Sequence, residues 1–227
     1  MIKAKKSLGQ NFLTDKNILE KIVNIVPIEG KTVLEIGPGS GNLTSFILKK
    51  NPKNFIVIEK DNDLVKYLVE IFNNQIQIIN QDILKIDEKI LSKDKITVFG
   101  NLPYNISTEI LSKWIVNLKN NFWFDHLILM FQKEVAERII AKVNTQNYGR
   151  ITILSNWKMN IEKIIDIEPD CFTPKPKVKS TLLTFTPKNN FYDLKDTKSL
   201  EHVTNIFFSN RRKMIKKPLK FLFKNFD

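Results

Sequence analysis

Thr32-Val33-Leu34-Glu35-Ile36-Gly37-Pro38-Gly39-Ser40-Gly41 is the stretch on which the fold turns. Its first five residues form a short apolar run, broken by one acid, of the kind that a strand covered on both faces shows. The glycines that follow supply a tight turn, and Asn42 to Lys50 (NLTSFILKK) continues with helical character. Strand, glycine turn and helix in that order open a doubly wound α/β domain, whose ligands lie beyond the carboxyl ends of the strands.

The alternation extends in both directions. Upstream, residues 15–26 place Ile18, Leu19, Ile22, Val23 and Val26 on one helical face, with Thr14 or Asp15 available as the cap. Downstream, apolar runs at 55–60, 76–80, 96–101 and 126–131 predict strands, and 62–72, 107–118 and 132–143 predict helices. Two later apolar segments, 151–157 (ITILSNW) and 180–185 (STLLTF), flank a Pro-rich turn and predict a hairpin at the sheet edge. The expected fold is therefore α/β, Rossmann-like, with a mixed seven-stranded sheet and helices on both faces. Beyond residue 186 the character changes to a loop followed by a basic helical stretch, 199–224. This gives an expected division into 1–186 and a small helical appendage, 187–227.

Composition narrows the class. A chain of 227 residues with 42% hydrophobic content can bury a full α/β core. Its single cysteine, Cys171, excludes an internal disulfide, and no Cys/His cluster has zinc-ligand spacing, so no metal is expected. The N-terminal MIKAKKSLGQNFL is basic without the apolar core of a signal peptide, and no apolar run reaches spanning length, which predicts a cytoplasmic protein without membrane contact. A net charge of +12 points toward a polyanionic partner. The abundance of Lys, Asn and Ile beside few glycines is also what A/T-rich coding produces, so charge alone leaves the partner open.

The glycine loop lacks both the G-x-G-x-x-G spacing of dinucleotide sites and the G-x-x-x-x-G-K-[ST] of phosphate-cradling loops. Glu35, two residues before the first glycine, would repel phosphate but suits a cationic sulfonium ligand carrying an ammonium group. Glu59 ends the second strand, 22 positions beyond Gly37, where a carboxylate accepts hydrogen bonds from ribose hydroxyls. Asp82 follows the third strand at the same sheet edge and can accept from an adenine amine, although in isolation a surface acid is its commoner reading. After the fourth strand stands Asn101-Leu102-Pro103-Tyr104. An aryl amine is a poor nucleophile because its lone pair is delocalised into the ring. Two acceptors, the Asn101 side-chain carbonyl and the Pro103 backbone carbonyl, can hold both amine hydrogens and turn the lone pair toward an electrophilic methyl group. Tyr104 is placed to stack on a flipped base.

At these residues the chain resembles a known family, the ribosomal RNA adenine dimethylases that act on two adjacent adenosines near the 3′ end of the small-subunit RNA. The matching motifs, in order, are SLGQNFL (7–13), EIGPGSG (35–41), IEKD (58–61), QDIL (81–84), GNLPYNIS (100–107), MFQKEVAERI (130–139) and FTPKPKVKS (172–180). The resemblance implies S-adenosyl-L-methionine as cofactor, held by Asn11, Leu13, Gly37, Glu59, Asp82 and Asn101. It implies that Asn101, Leu102, Pro103 and Tyr104 hold the target adenine and that Phe172 forms the second face of a base sandwich. Residue physics alone reads Phe172 as a core aromatic. In the family the helix carrying the NRRK-type motif opens a longer helical domain, so the tail of this chain reads as a shortened one. Lys3, Lys5, Lys6, Arg211, Arg212 and Lys213 are the phosphate-contact candidates, although a basic run also serves simply as a solvated face.

The partner implied is small-subunit ribosomal RNA or the assembling small subunit, met by a monomer. Two rivals stand beside this reading. One is an enzyme that methylates large-subunit RNA and confers macrolide resistance, which shares the N-x-P-Y and glycine-loop motifs. The other is an RNA-binding ribosome assembly factor whose catalysis is dispensable. A nicotinamide-dependent dehydrogenase would need phosphate-friendly glycine spacing and a suitably placed acid, and neither His126 nor His202 is placed for that role.

Overall fold

Five parallel strands, extended by two antiparallel ones, make the central sheet. The coordinates, a computed structural model, describe residues 4–5, 9–118, 121–211 and 213–223. In chain order the strands are β1 (Phe12–Leu13), β2 (Thr32–Ile36), β3 (Asn54–Glu59), β4 (Gln77–Asn80), β5 (Ile96–Asn101), β6 (Phe124–Gln132), β7 (Met159–Ile167), β8 (Phe172–Thr173) and β9 (Ser180–Pro187). The helices are α1 (Lys16–Val23), α2 (Asn42–Leu48), α3 (Asn62–Phe72), α4 (Ser107–Asn117), α5 (Lys133–Ile139), α6 (Arg150–Lys158), α7 (Thr197–Ser209) and α8 (Lys216–Leu222). The main sheet runs β4-β3-β2-β5-β6-β9-β7, and β1 pairs separately with β8. Strands β2 to β6 are mutually parallel, β9 runs antiparallel to β6, and β7 antiparallel to β9. The chain leaves β2 toward β3 and β4 on one side, then returns to β5 and β6 on the other. That reversal, between β2 and β5, opens a crevice at the carboxyl edge.

Strand periodicity divides the core in two. Val33, Val57, Phe99, Ile128 and Met130 face α1, α2 and α3. Their neighbours Leu34, Ile58, Val98, Leu127 and Leu129 face α4, α5 and α6. Each such side chain, removed fully from water, stabilises the fold by about 1.5–3 kcal/mol. Helix starts are set by short polar side chains: Asp15 caps α1 by accepting the Ile18 N–H at 2.9 Å, and Asp61 caps α3 through the Asp63 N–H at 3.0 Å.

Three local expectations are corrected. Residues 151–157 are not a strand; they lie in α6, and the edge hairpin is formed instead by β7 and β9. The cause is burial on several sides. Helix α6 packs against α4, α5 and α7, so apolar and polar residues alternate around it and no helical stripe shows in the sequence. Its start is supported by Gly149, whose N–H donates to Thr152 Oγ1 at 3.0 Å. Strand β7 escaped notice because it lies at the sheet edge, where Glu162, Lys163 and Ile164 stay exposed and interrupt the apolar run. The helix expected over 132–143 ends at Ile139, and turns follow, with Asn144 at φ 68°. Finally, the basic tail is not one helix: α7 stops at Ser209, where Asn210 Nδ2 and N–H bond back to the carbonyls of Ile206 and Phe207.

Candidate active site

The glycine loop follows the wholly buried β2 and bends sharply into α2. The Gly37 N–H continues the pairing by donating to Ile58 O at 2.9 Å, and the Gly41 N–H closes the turn on Pro38 O at 2.9 Å. Gly39 has φ 58°, and a Cβ there would lie 2.7 Å from the Phe12 ring, so both conformation and contact require glycine. Gly37 has φ 65°, and a Cβ there would meet only the Asn101 carbonyl oxygen, at 3.9 Å. The absent side chain leaves an open cradle. It belongs to a cavity of about 220 Å³ whose lining includes Asn11, Leu13, Gly37, Glu59, Asp82 and Asn101, followed by Leu102, Pro103 and Tyr104.

The charges around this cavity are unusual. Glu35 is 2% exposed and its only hydrogen-bond partner among the described residues is Thr44, whose Oγ1 donates at 2.7 Å. Burial pushes its carboxyl up to about 8. Glu59 accepts the Asp61 N–H on Oε1 at 2.9 Å and the Gly39 N–H on Oε2 at 3.3 Å. Burial raises its pKa, against the opposing pull of those backbone donors. Neither carboxylate has a cationic side-chain partner among the described residues. Asp82 differs: Lys60 Nζ bonds it at 2.8 Å, which together with the Leu84 N–H at 3.0 Å holds it below the usual carboxylate range.

At the end of β5, Asn101 donates from Nδ2 to the Asn11 carbonyl at 2.8 Å. Because a carbonyl can only accept, this bond fixes the amide's orientation and leaves Oδ1 as the free acceptor. The Pro103 carbonyl accepts the Ile106 N–H at 3.1 Å and keeps a second lone pair. The Tyr104 hydroxyl and Ser180 Oγ share a hydrogen bond of 2.6 Å, which ties this loop to β9.

Phe172 stands apart. It is 3% exposed, its backbone pairs with Leu13 across β1 and β8, and its ring packs in the core beside Ile167 and Leu182 rather than lining the cavity. The basic candidates also separate. Lys5 is engaged by Asp61 and Asp63, each at 2.7 Å, so its ammonium is already neutralised within the chain and is not a free phosphate contact. Arg211 donates to the Gln146 carbonyl at 3.0 Å and lies over the Phe208 ring. Lys213 is exposed. Lys3, Lys6 and Arg212 fall outside the described residues. Sequence reading overlooked Gln10, Phe12, Asp61 and Ser180, though all four sit inside motifs quoted above. Among the described residues no His, Cys, Asp or Glu cluster could hold a metal, and no helix is long and apolar enough to cross a membrane.

The family model described as ribosomal RNA adenine dimethylase matches residues 1–226. The chain belongs to the ribosomal RNA adenine dimethylases. A curated member of Pelagibacter ubique, named ribosomal RNA small subunit methyltransferase A, is 64% identical over 224 residues, which cover 99% of this chain and 86% of the relative. The crystal structure of a dimethyladenosine transferase from Plasmodium falciparum superposes with a TM-score of 0.74 at 29% identity, covering 92% of this chain and 74% of that one. The 23S rRNA methyltransferase ErmE shares the fold, with a TM-score of 0.69 over 92% of this chain and 83% of its own, at 22% identity. The methyltransferase fold expected from the glycine loop is thus the fold of this dimethylase family member.

Proposed function

We propose that the chain dimethylates the N6 amines of two adjacent adenosines near the 3′ end of small-subunit (16S) ribosomal RNA, using S-adenosyl-L-methionine. The observation that carries this reading is the Asn101 amide, whose Oδ1 is left free at the cavity by the bond from Nδ2 to Asn11. The cofactor fits the residues present: the Gly37 cradle leaves room for it, and Glu35 and Glu59 are buried acids without a cationic partner among the described residues. When bound, it supplies an electrophilic methyl group carried on a cationic sulfonium.

The side chains then divide the work. Glu59 would accept ribose hydroxyls and Asp82 an adenine amine of the cofactor, and Glu35, kept protonated by burial while no cation is near, would ionise beside the cationic end. Asn11, Leu13 and Gly37 complete the enclosure. Asn101 Oδ1 and the Pro103 carbonyl accept the two hydrogens of the target amine, which aims its lone pair at the methyl group. Tyr104 stacks on the flipped base, and Leu102 holds the loop from the core side. The amine becomes more acidic as it is methylated, so its proton leaves without a dedicated base.

Residues 1–186 act as the catalytic unit and 187–227 as the RNA-contacting one, with Lys213 and Arg211 on the face met by the assembling subunit. The protein works as a monomer in the cytoplasm, where subunits are built. The name of the Pelagibacter ubique relative favours the small-subunit substrate over the large-subunit one. The test is transfer of labelled methyl to small-subunit particles that lack the modification, with large-subunit RNA in parallel. Dimethyladenosine confined to the small-subunit RNA is expected, and Asn101→Ala should slow transfer by about 10²–10³-fold without loss of fold. Near-normal transfer by Asn101→Ala would overturn the acceptor role, and label in large-subunit RNA alone would promote the rival.

A further inference from the structure

The carbonyl that orients Asn101 belongs to a segment that packs inward through Phe12 and Leu13, while its outer side is anchored by Asp61 at Gln10 and by Asp61 and Asp63 at Lys5. Asp61 accepts from Gln10 Nε2 at 3.1 Å, directly beside Asn11, and from Lys5 Nζ at 2.7 Å. Lys5 in turn holds Gln10, since its N–H donates to Gln10 Oε1 at 2.7 Å. On its inner side Asp61 is built into the site: its N–H donates to Glu59 Oε1 at 2.9 Å, and its carboxylate caps α3. The Asp61 side chain is 2% exposed. Burial alone would raise its pKa, but the bonds from Lys5 and Gln10 outweigh it and keep the group ionised.

We infer that Asp61 is a positioning residue for methyl transfer, acting through Gln10 to hold the Asn11 carbonyl where it orients the Asn101 amide. The physical reason lies in the side chain being controlled. The two ends of a terminal amide are nearly identical in shape, so packing barely distinguishes the two orientations. Only the donor or acceptor placed beside it decides. With the Asn11 carbonyl withdrawn, the flipped amide becomes accessible and presents Nδ2 hydrogens to a target amine that needs an acceptor. Losing the anchor therefore lowers the rate of the chemical step itself, as well as cofactor affinity. Inner contacts, such as Asn42 Nδ2 on the Leu13 carbonyl at 2.8 Å and the Phe12 ring against Gly39, hold the far side of Asn11 and leave Gln10 as its outer restraint.

The inference rests on the proposed adenine-N6 reaction, and the experiment separates the two. Wild type, Gln10→Leu, Asp61→Asn and the double variant are compared for single-turnover transfer at saturating cofactor and for cofactor affinity. Each single variant is expected to slow the single-turnover step by about tenfold, the effect of one charge-assisted hydrogen bond, and the double variant to be no slower than the worse single. In the cofactor-free protein, the Asn101 side-chain Nδ2–H resonances should be protected from solvent exchange in wild type and lose that protection in Gln10→Leu. Asp61→Asn retains an oxygen for the α3 cap, and Gln10→Leu leaves Asp61 in place, so a folding failure in one leaves the other informative. Weakened affinity with an unchanged single-turnover rate would overturn the inference, as would additive losses or an Asn101 amide indifferent to Gln10. A wild-type protein that transfers nothing to adenine would instead remove the proposed function, and this inference with it.

Discussion

Glu88 and the pair Glu35 and Glu59 are all buried, yet the molecule treats the two places differently. Glu88, in the connection between β4 and β5, is 5% exposed and receives Lys113 Nζ at 2.8 Å and Trp114 Nε1 at 2.7 Å. Lys113 also bonds the carbonyls of Ile83 and Ile86, so charge and donors are satisfied within the chain. At the carboxyl edge, Glu35 and Glu59 have, among the described residues, only a hydroxyl and backbone N–H groups as partners. A buried acid without a counterion is costly to ionise, and a chain retains one where something from outside completes it. The contrast separates a carboxylate that holds the fold from carboxylates that await a cationic ligand.

The contrast can be broken most directly at Glu88. Glu88→Ala leaves Lys113 without its carboxylate and should cost about 3–5 kcal/mol of stability, with cofactor affinity unchanged in the fraction that folds. Urea denaturation and cofactor titration measure both, and a weakened cofactor with an intact fold would erase the distinction. Glu59→Ala should do the reverse: about 1.5–3 kcal/mol of cofactor affinity lost, close to a hundredfold, with the unfolding midpoint little changed. Equal affinity in that variant would remove Glu59 from the site.

A third test sharpens the comparison through pH. Glu35 ordinarily titrates near 4.5 and in the fold is raised to about 8. Between those values the unfolded chain has released the proton that the folded chain keeps, so the stability of the cofactor-free protein falls as pH rises through the window and levels off above it. Glu35→Gln should lack this component, so the stability gap between variant and wild type grows from about pH 5 to pH 8, at no more than about 1.4 kcal/mol per pH unit. Parallel stability profiles across that range would show that Glu35 ionises freely and is not the uncompensated acid described here.

Legibility in the sequence followed the range of the forces involved. Strands β2, β3, β5 and β6 could be read because each is a largely buried run bounded by turn residues, and the glycine loop because its backbone conformation demands glycine. Glu59, Asp82 and Asn101 could be named because they stand at or just beyond strand ends, and topology carries strand ends to one edge, whereas Asn11 and Leu13 were named only through the family resemblance. Helix α6 could not be read, since its neighbours α4, α5 and α7 come from distant parts of the chain and bury it from several sides. Lys5 was read as a free cation because its acidic partners lie 56 and 58 residues away.

By itself the sequence determined the alternation of strands and helices from β2 to β6, the methyltransferase class of the fold, and the set of chemical groups offered at its carboxyl edge. These follow from short-range patterning, in which burial and backbone conformation are written locally. The tertiary structure alone decided that Asp61 gathers Lys5 and Gln10, and that Asn11, 90 residues from Asn101, holds the amide with its oxygen free. The reason is that a hydrogen bond between distant residues depends on where two backbones pass each other, and no local pattern encodes that distance.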